Sequence, residues 1–218
     1  MSLDAGSIKR LQKALSIVDE HGTVGPRLID DARRLWSRSR RLIRMGLVPA
    51  ETLELDAMEL ACYALQLPNR RGKTLPTGKP GRSTLRERAE EGAEMLVGIA
   101  GGDTEEGLLD RTTRILHEMP HRTPVLDEAK ILADALNLED FGIAGIIAQA
   151  IQTARQGEGI MQLSKSMQKR EQYGYWEARL KDGFHFEAVR QIAQTRLERA
   201  RKFVEGLTGE LEEDSADR

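Results

Sequence analysis

Cysteine is almost absent from this chain: Cys62 is the only one in 218 residues. An internal disulfide and a cysteine-based zinc site are therefore excluded. Its apolar setting, Leu60-Ala-Cys-Tyr-Ala-Leu65, reads as a buried inert thiol rather than a nucleophile. Aromatic residues make up 4% of the chain. Their one cluster, Tyr173, Tyr175 and Trp176, fits packing better than base stacking. No long Val/Ile/Thr alternation argues for a sheet. No apolar stretch approaches the 18 residues of a membrane span, and no signal peptide is evident. These absences predict a soluble, cytoplasmic protein with no membrane partner.

What is present favours helix. Leu, Ala, Arg and Glu dominate, and charged residues are 31%. The formal net charge is only −2, so the whole molecule carries no strong bias toward nucleic acid. The charge is unevenly placed. Residues 27–50 hold seven Arg against Asp30 and Asp31, and residues 69–88 hold seven Lys or Arg against Glu87. From Glu205 onward there are six acids and one Arg. Arg34, Arg38 and Arg41 fall along one face of a basic helix that could meet phosphate, although such rows are more often solvated or paired. Nucleic acid is accordingly a weak partner expectation.

Helical spacing of apolar residues predicts a first helix over 5–20 and a basic helix ending near Met45–Gly46. A helix follows from Pro49 to Pro68. Asn69–Arg82 reads as a Gly/Pro/Lys/Arg loop, and it lacks the order of a P-loop. Further helices are expected from Ser83, from an Asp103-x-x-Glu106 capping box, and from Thr123-Pro124. Others run to about Ala154, over Met161–Lys181 with interruptions, and over Glu187–Leu207. The predicted organisation is an N-terminal helix in 1–25, one helical domain over 26–207, and a flexible acidic tail over 208–218.

The stretch Asp127–Ile146 is the most informative. Asp134 stands among Ile131, Leu132, Ala133, Ala135 and Leu136. An ionised carboxylate there costs several kcal/mol, on the order of 2–7, unless a cation or hydrogen-bond donors meet it. Asp134-Ala-Leu-Asn-Leu-Glu-Asp-Phe-Gly142, followed by Ile143-Ala-Gly-Ile146, resembles the Asp-Ala-Asp helix of the HD-domain superfamily of metal-dependent phosphohydrolases. The closing segment with Leu180, Ala193, Arg196, Arg201, Phe203, Val204 and Glu210 is similar to that family's last helix. The resemblance covers roughly Pro26–Glu212. It implies an all-α, HD-like bundle of about eight to ten helices, with Asp134 as a metal ligand.

The first half departs from the family's pattern. Leu65 and Gln66 fall where the His-Asp pair is expected. The family's first His would fall near Leu35–Ser37, where there is none. A further family His precedes a Gly-Ala pair, here Gly92-Ala93, and the matching residue is Arg88. Of the metal ligands the resemblance implies, Asp134 alone is kept, and a guanidinium at Arg88 could stand in for the ion. The resemblance therefore implies a degenerate, catalytically inactive binding or regulatory module with no cofactor. Its pocket would be formed by Asp134, Arg88, Gln66, Glu139 and Arg38, and it would hold a phosphorylated small molecule or nucleotide. One alternative is a divalent-metal phosphohydrolase with a rearranged site of Asp134, His117 and His121. Another is a helical protein-interaction module, with a homodimer as one form.

Overall fold

Glycine and proline punctuate a chain that is otherwise helical. The computed structural model describes residues 5–17, 27–70, 73–74, 80–81, 83–100, 102 and 104–216. Within them run α1 (Ala5–Ser16), α2 (Arg27–Arg44), α3 (Leu55–Ala64), α4 (Leu85–Ala100) and α5 (Glu106–Glu118). These are followed by α6 (Asp127–Asp140), α7 (Ile143–Arg155), α8 (Ile160–Gln172), α9 (Tyr175–Asp182) and α10 (Glu187–Ala216). The fold class is all-α. The two strands described are only two residues each, β1 (Lys73–Thr74) and β2 (Pro80–Gly81). They pair antiparallel, Lys73 with Gly81 and Thr74 with Pro80. The basic loop is therefore closed by a short ribbon, and the remainder of its 71–82 stretch lies outside the described residues. So does His21.

The chain divides into two compact units, residues 1–135 and 136–218. The division falls inside α6 and not at the basic loop. The N-terminal helix α1 is packed into the first unit. Leu11 and Leu15 of α1 are wholly buried, and α1 packs on α2, α3 and α4. The apolar spacing that predicts the helix supplies the reason: a helix of 12 residues gains most of its stability from burying that stripe.

In the first unit α3 is the central element. Seven of its ten residues are buried, and it touches α1, α2, α4 and α5. Its sequence explains this, because Ala57-Met58 and Leu60–Ala64 leave almost no polar face. The α2 helix is amphipathic instead. Leu28, Ala32, Leu35, Ser39 and Leu42 are buried at helical spacing, while arginines line the solvent side. Gly92 lets α4 approach closely. A Cβ there would lie 2.7 Å from the Ala64 carbonyl oxygen and 3.6 Å from the Leu65 Cα.

Two expected helix starts are placed differently. Glu105 occupies the N-cap of α5 without a side-chain cap bond, and Asp103 lies outside the described residues. The α6 helix opens at Asp127, after Thr123-Pro124, because Glu118 Oε2 accepts the Val125 and Leu126 N–H groups at 2.7 Å each. A capping box does form at α4, as a reciprocal pair. The Thr84 N–H donates to Glu87 Oε2 at 2.8 Å, and the Glu87 N–H donates to Thr84 Oγ1 at 3.2 Å.

The second unit is built around Phe141, whose ring meets those of Trp176 and Phe184, both with centroids at 5.3 Å. The expected helix over 161–181 breaks at Gly174, which has φ +63° and separates α8 from α9. The expected flexible tail is helical instead, because α10 continues through Ala216. Glu, Leu and Ala carry the helix on beyond the last buried turn.

Candidate functional site

Asp134 lies on α6 with no exposure to solvent, flanked by Ala133 and Ala135, which are also buried. The helix is as buried as it reads, and Asp134, Arg38 and Arg88 each have interactions within the fold. Arg38 reaches α6 from α2: its Nη1 donates to the Ala135 carbonyl at 2.7 Å. It is half-buried and also acts electrostatically on Cys62 of α3. A guanidinium thus stands against the turn of α6 that carries Asp134 and over the central helix.

Arg88 lies on α4, one turn before Gly92, so it shares the α4 face that packs on the end of α3. It is half-buried, with its Nε out of solvent. At that end of α3, Leu65 is wholly buried and Gln66 is 5% exposed. The Gln66 Oε1 accepts from Asn69 Nδ2 at 2.9 Å, a bond that holds the side chain in the tight turn after α3. Gln66 is a neutral, already engaged group in this turn.

Glu139, half-buried, lies further along the same helix. Five residues of α helix separate it from Asp134, a rotation of about 140°, so the two do not share a face. Glu139 belongs to the part of α6 in the second unit. The alternative metal trio is not assembled. His117 and His121 are exposed at the end of α5 and the turn behind it, whereas Asp134 is wholly buried. The sequence spacing of the two histidines spans Pro120 and the end of the helix, which removes the shared face they would need. Among the described residues no group of three His, Cys, Asp or Glu side chains could hold a metal ion. The divalent metal that the HD resemblance implies does not fit these residues. Leu65 has no donor atom, and Gln66 is committed to Asn69.

Burial pushes the Cys62 thiol well above its ordinary range, Glu59 adds to the effect, and Arg38 opposes it. Such a shift disfavours the thiolate, the nucleophilic form.

Sequence reading missed two polar constructions. In the first unit Glu128, 1% exposed, accepts Arg111 Nη2 at 2.6 Å and Nε at 3.2 Å on one oxygen. The same oxygen accepts the Glu54 N–H at 3.2 Å, at the N-cap of α3. One carboxylate therefore ties α5, α6 and the start of α3 together. The signal in the sequence is an acid in an apolar helix, as with Asp134. In the second unit Arg179 Nη2 reaches both Asn137 Oδ1 at 3.0 Å and Asp140 Oδ2 at 2.9 Å, and Asn137 Nδ2 donates to the Gly183 carbonyl at 2.5 Å. Asn137 and Asp140 are thus tied to α9. Arg196 of α10 donates to the Leu138 carbonyl at 3.1 Å.

No family model and no curated relative matches the chain. Solved structures do. The crystal structure of Bacillus subtilis YpgQ in complex with ADP is similar at 19% identity, over 94% of each chain, with a TM-score of 0.59. The selenomethionine form of Bacillus subtilis YpgQ is similar at 20% identity, over 94% of this chain and 97% of that one, with a TM-score of 0.58. At such identity the likeness concerns the fold, which these proteins share along almost their whole length.

Proposed function

We propose that this chain is a degenerate HD-like domain that has given up metal-dependent phosphohydrolysis. It serves as a binding or regulatory module for a phosphorylated ligand, with a nucleotide as the favoured class. The observation that carries this reading is the Arg38 guanidinium bonded to α6 beside the wholly buried Asp134. A fixed guanidinium offers a planar fork of donors to a phosphate oxygen, whereas the residues around it offer a metal too few ligands. Arg88, on the α4 face toward the end of α3, supplies the second cation of the set. Support from outside the chain is limited to the fold: YpgQ, which shares it, was crystallised with ADP.

Thermal melting with ADP, ATP and inorganic phosphate tests the proposal, each with and without Mg²⁺ or Mn²⁺. A nucleotide at about 100 times its Kd is expected to add about 2.7 kcal/mol of stability without any divalent ion. Chromatography of the same mixtures should recover the nucleotide intact. Metal-dependent turnover would overturn the loss of chemistry. Melting curves unmoved by every phosphorylated compound would overturn the binding role.

A further inference from the structure

The solvent side of α2 carries a stripe of arginine. Arg33, Ser37, Arg40, Arg41 and Arg44 are all exposed. At 3.6 residues per turn they fall within an arc of about 100°. The centre of that arc lies about 170° from the centre of the buried row Leu28, Ala32, Leu35, Ser39 and Leu42. The stripe is thus the outermost line of the helix. Its charge is compensated only at one end. Asp30 meets Arg33 at 3.7 Å, and Asp31 meets Arg27 at 3.5 Å and Arg34 at 4.0 Å. From Ala32 to Ala50 the sequence has no acid. Among the described residues, Arg41 and Arg44 make no hydrogen bond or ion pair, and Arg40 interacts with the half-buried Glu59 through charge alone. The helix dipole suits Arg41 and Arg44 in the last turn, but Arg33 and Arg40 stand outside it. The neighbour packed on α2, α1, adds exposed Lys9 and Lys13 and no acid.

We propose that this stripe docks the phosphodiester backbone of duplex DNA, without reading its sequence. Arg33 to Arg44 spans about 16 Å of helix axis. Four guanidiniums over that length give about one per 4 Å, close to the one phosphate per roughly 3.4 Å of a DNA strand. Among the described residues, no exposed aliphatic or aromatic side chain lies between Arg33 and Arg44. A protein partner needs apolar anchors, an anionic membrane takes up an apolar face, and a single strand stacks on aromatic platforms. A duplex backbone needs only cations and hydrogen-bond donors, which the arginines and Ser37 supply. The net charge of −2 does not oppose this, because charges beyond about 10 Å are largely screened at 0.1 M salt. Arg38 is turned about 110° from the stripe, toward the Ala135 carbonyl, so this face is separate from the ligand site proposed above.

Fluorescence anisotropy of a labelled DNA duplex, titrated with the full chain across salt, tests the docking. With three to four phosphates neutralised, log K should fall against log salt with a slope of about −2.7 to −3.6. Affinity then drops roughly 40- to 150-fold between 50 and 200 mM salt. The triple variant Arg40→Gln, Arg41→Gln, Arg44→Gln should bind at least about tenfold more weakly at 50 mM salt, with a slope near −1. Arg199→Gln with Lys202→Gln removes two exposed cations of α10 and should leave binding unchanged. No binding at 50 mM salt with about 100 µM chain, the weak end of non-specific affinity, would overturn the proposal. So would a triple variant that binds like wild type, or an α10 variant that weakens binding as much. Poly-glutamate competing as well as unlabelled duplex would overturn the choice of a phosphate backbone. Tighter binding to duplex RNA would overturn the choice of DNA. Should the triple variant misfold, Arg44→Gln alone decides, since one cation fewer changes the slope by about 0.9.

Discussion

Arg38 Nη1 donates to the backbone carbonyl of Ala135 at 2.7 Å, one residue beyond a carboxylate wholly removed from water. A hydrogen bond from a charged donor in such surroundings contributes more than a neutral one. Arg38→Met should therefore destabilise the first unit by about 2 kcal/mol, and Arg38→Lys should recover only part of that, lacking the planar fork. Urea denaturation of the three proteins measures this, and equal midpoints for wild type and Arg38→Met would refute it.

Glu128 gives a sharper case because its partners are resolved. Removing Arg111 leaves a carboxylate 1% exposed, with the Glu54 N–H as its remaining partner among the described residues. Arg111→Met is expected to cost about 3 kcal/mol, more than Arg111→Met combined with Glu128→Leu, since breaking a buried pair is worse than deleting it. A double-mutant cycle in denaturant reads the difference. Additive losses would show that the pair is uncoupled.

Gly92→Ala probes the approach of α4 to α3. The added methyl would sit 2.7 Å from the Ala64 carbonyl oxygen, a backbone atom that cannot swing aside. The substitution should destabilise by about 1–3 kcal/mol, against the gain usual for Gly→Ala in a helix. A rise in melting temperature would mean that the helices are not in close contact.

Glu59 of α3 predicts a pH dependence. Burial raises its carboxyl above the ordinary 4.5, the charge of Asp56 adds to this, and Arg40 and a hydrogen bond with Trp36 oppose it. A raised folded pKa means that the native state binds this proton more tightly than the unfolded chain. Ionised Glu59 thus costs stability at neutral pH, and the cost fades as pH falls through the folded value to below 4.5. Glu59→Gln should melt higher than wild type at pH 7, with the gap closing by about pH 4. A gap of constant size across that range would assign the effect to something other than ionisation.

The helices of this protein are legible in its sequence wherever an apolar stripe repeats at helical spacing. Leu28, Leu35 and Leu42 mark α2 in this way, and Ala89, Ala93 and Leu96 mark α4. Their ends are less legible. The start of α6 is set by Glu118, seven residues before Val125, and no local rule at Thr123-Pro124 anticipates that contact. The acidic tail reads as frayed because it lacks a buried stripe, yet its residues favour helix and simply extend α10.

The site was half legible. Asp134 stood out from its apolar neighbours, and their burial is local information that a sequence carries. Which cation would bond that turn of α6 was not local. Arg38 lies 97 residues away, and only the packing of α2 on the first unit brings it to Ala135. The metal trio with the two histidines failed for the converse reason. Their four-residue spacing suggested one helix face, but α5 ends between them and both are exposed, whereas Asp134 is buried. Composition and periodicity thus decided that the chain is helical and which faces turn inward, because burial of apolar stripes is a short-range demand. The tertiary structure alone decided which charges meet, because a buried ion is stabilised by whatever group the fold carries to it.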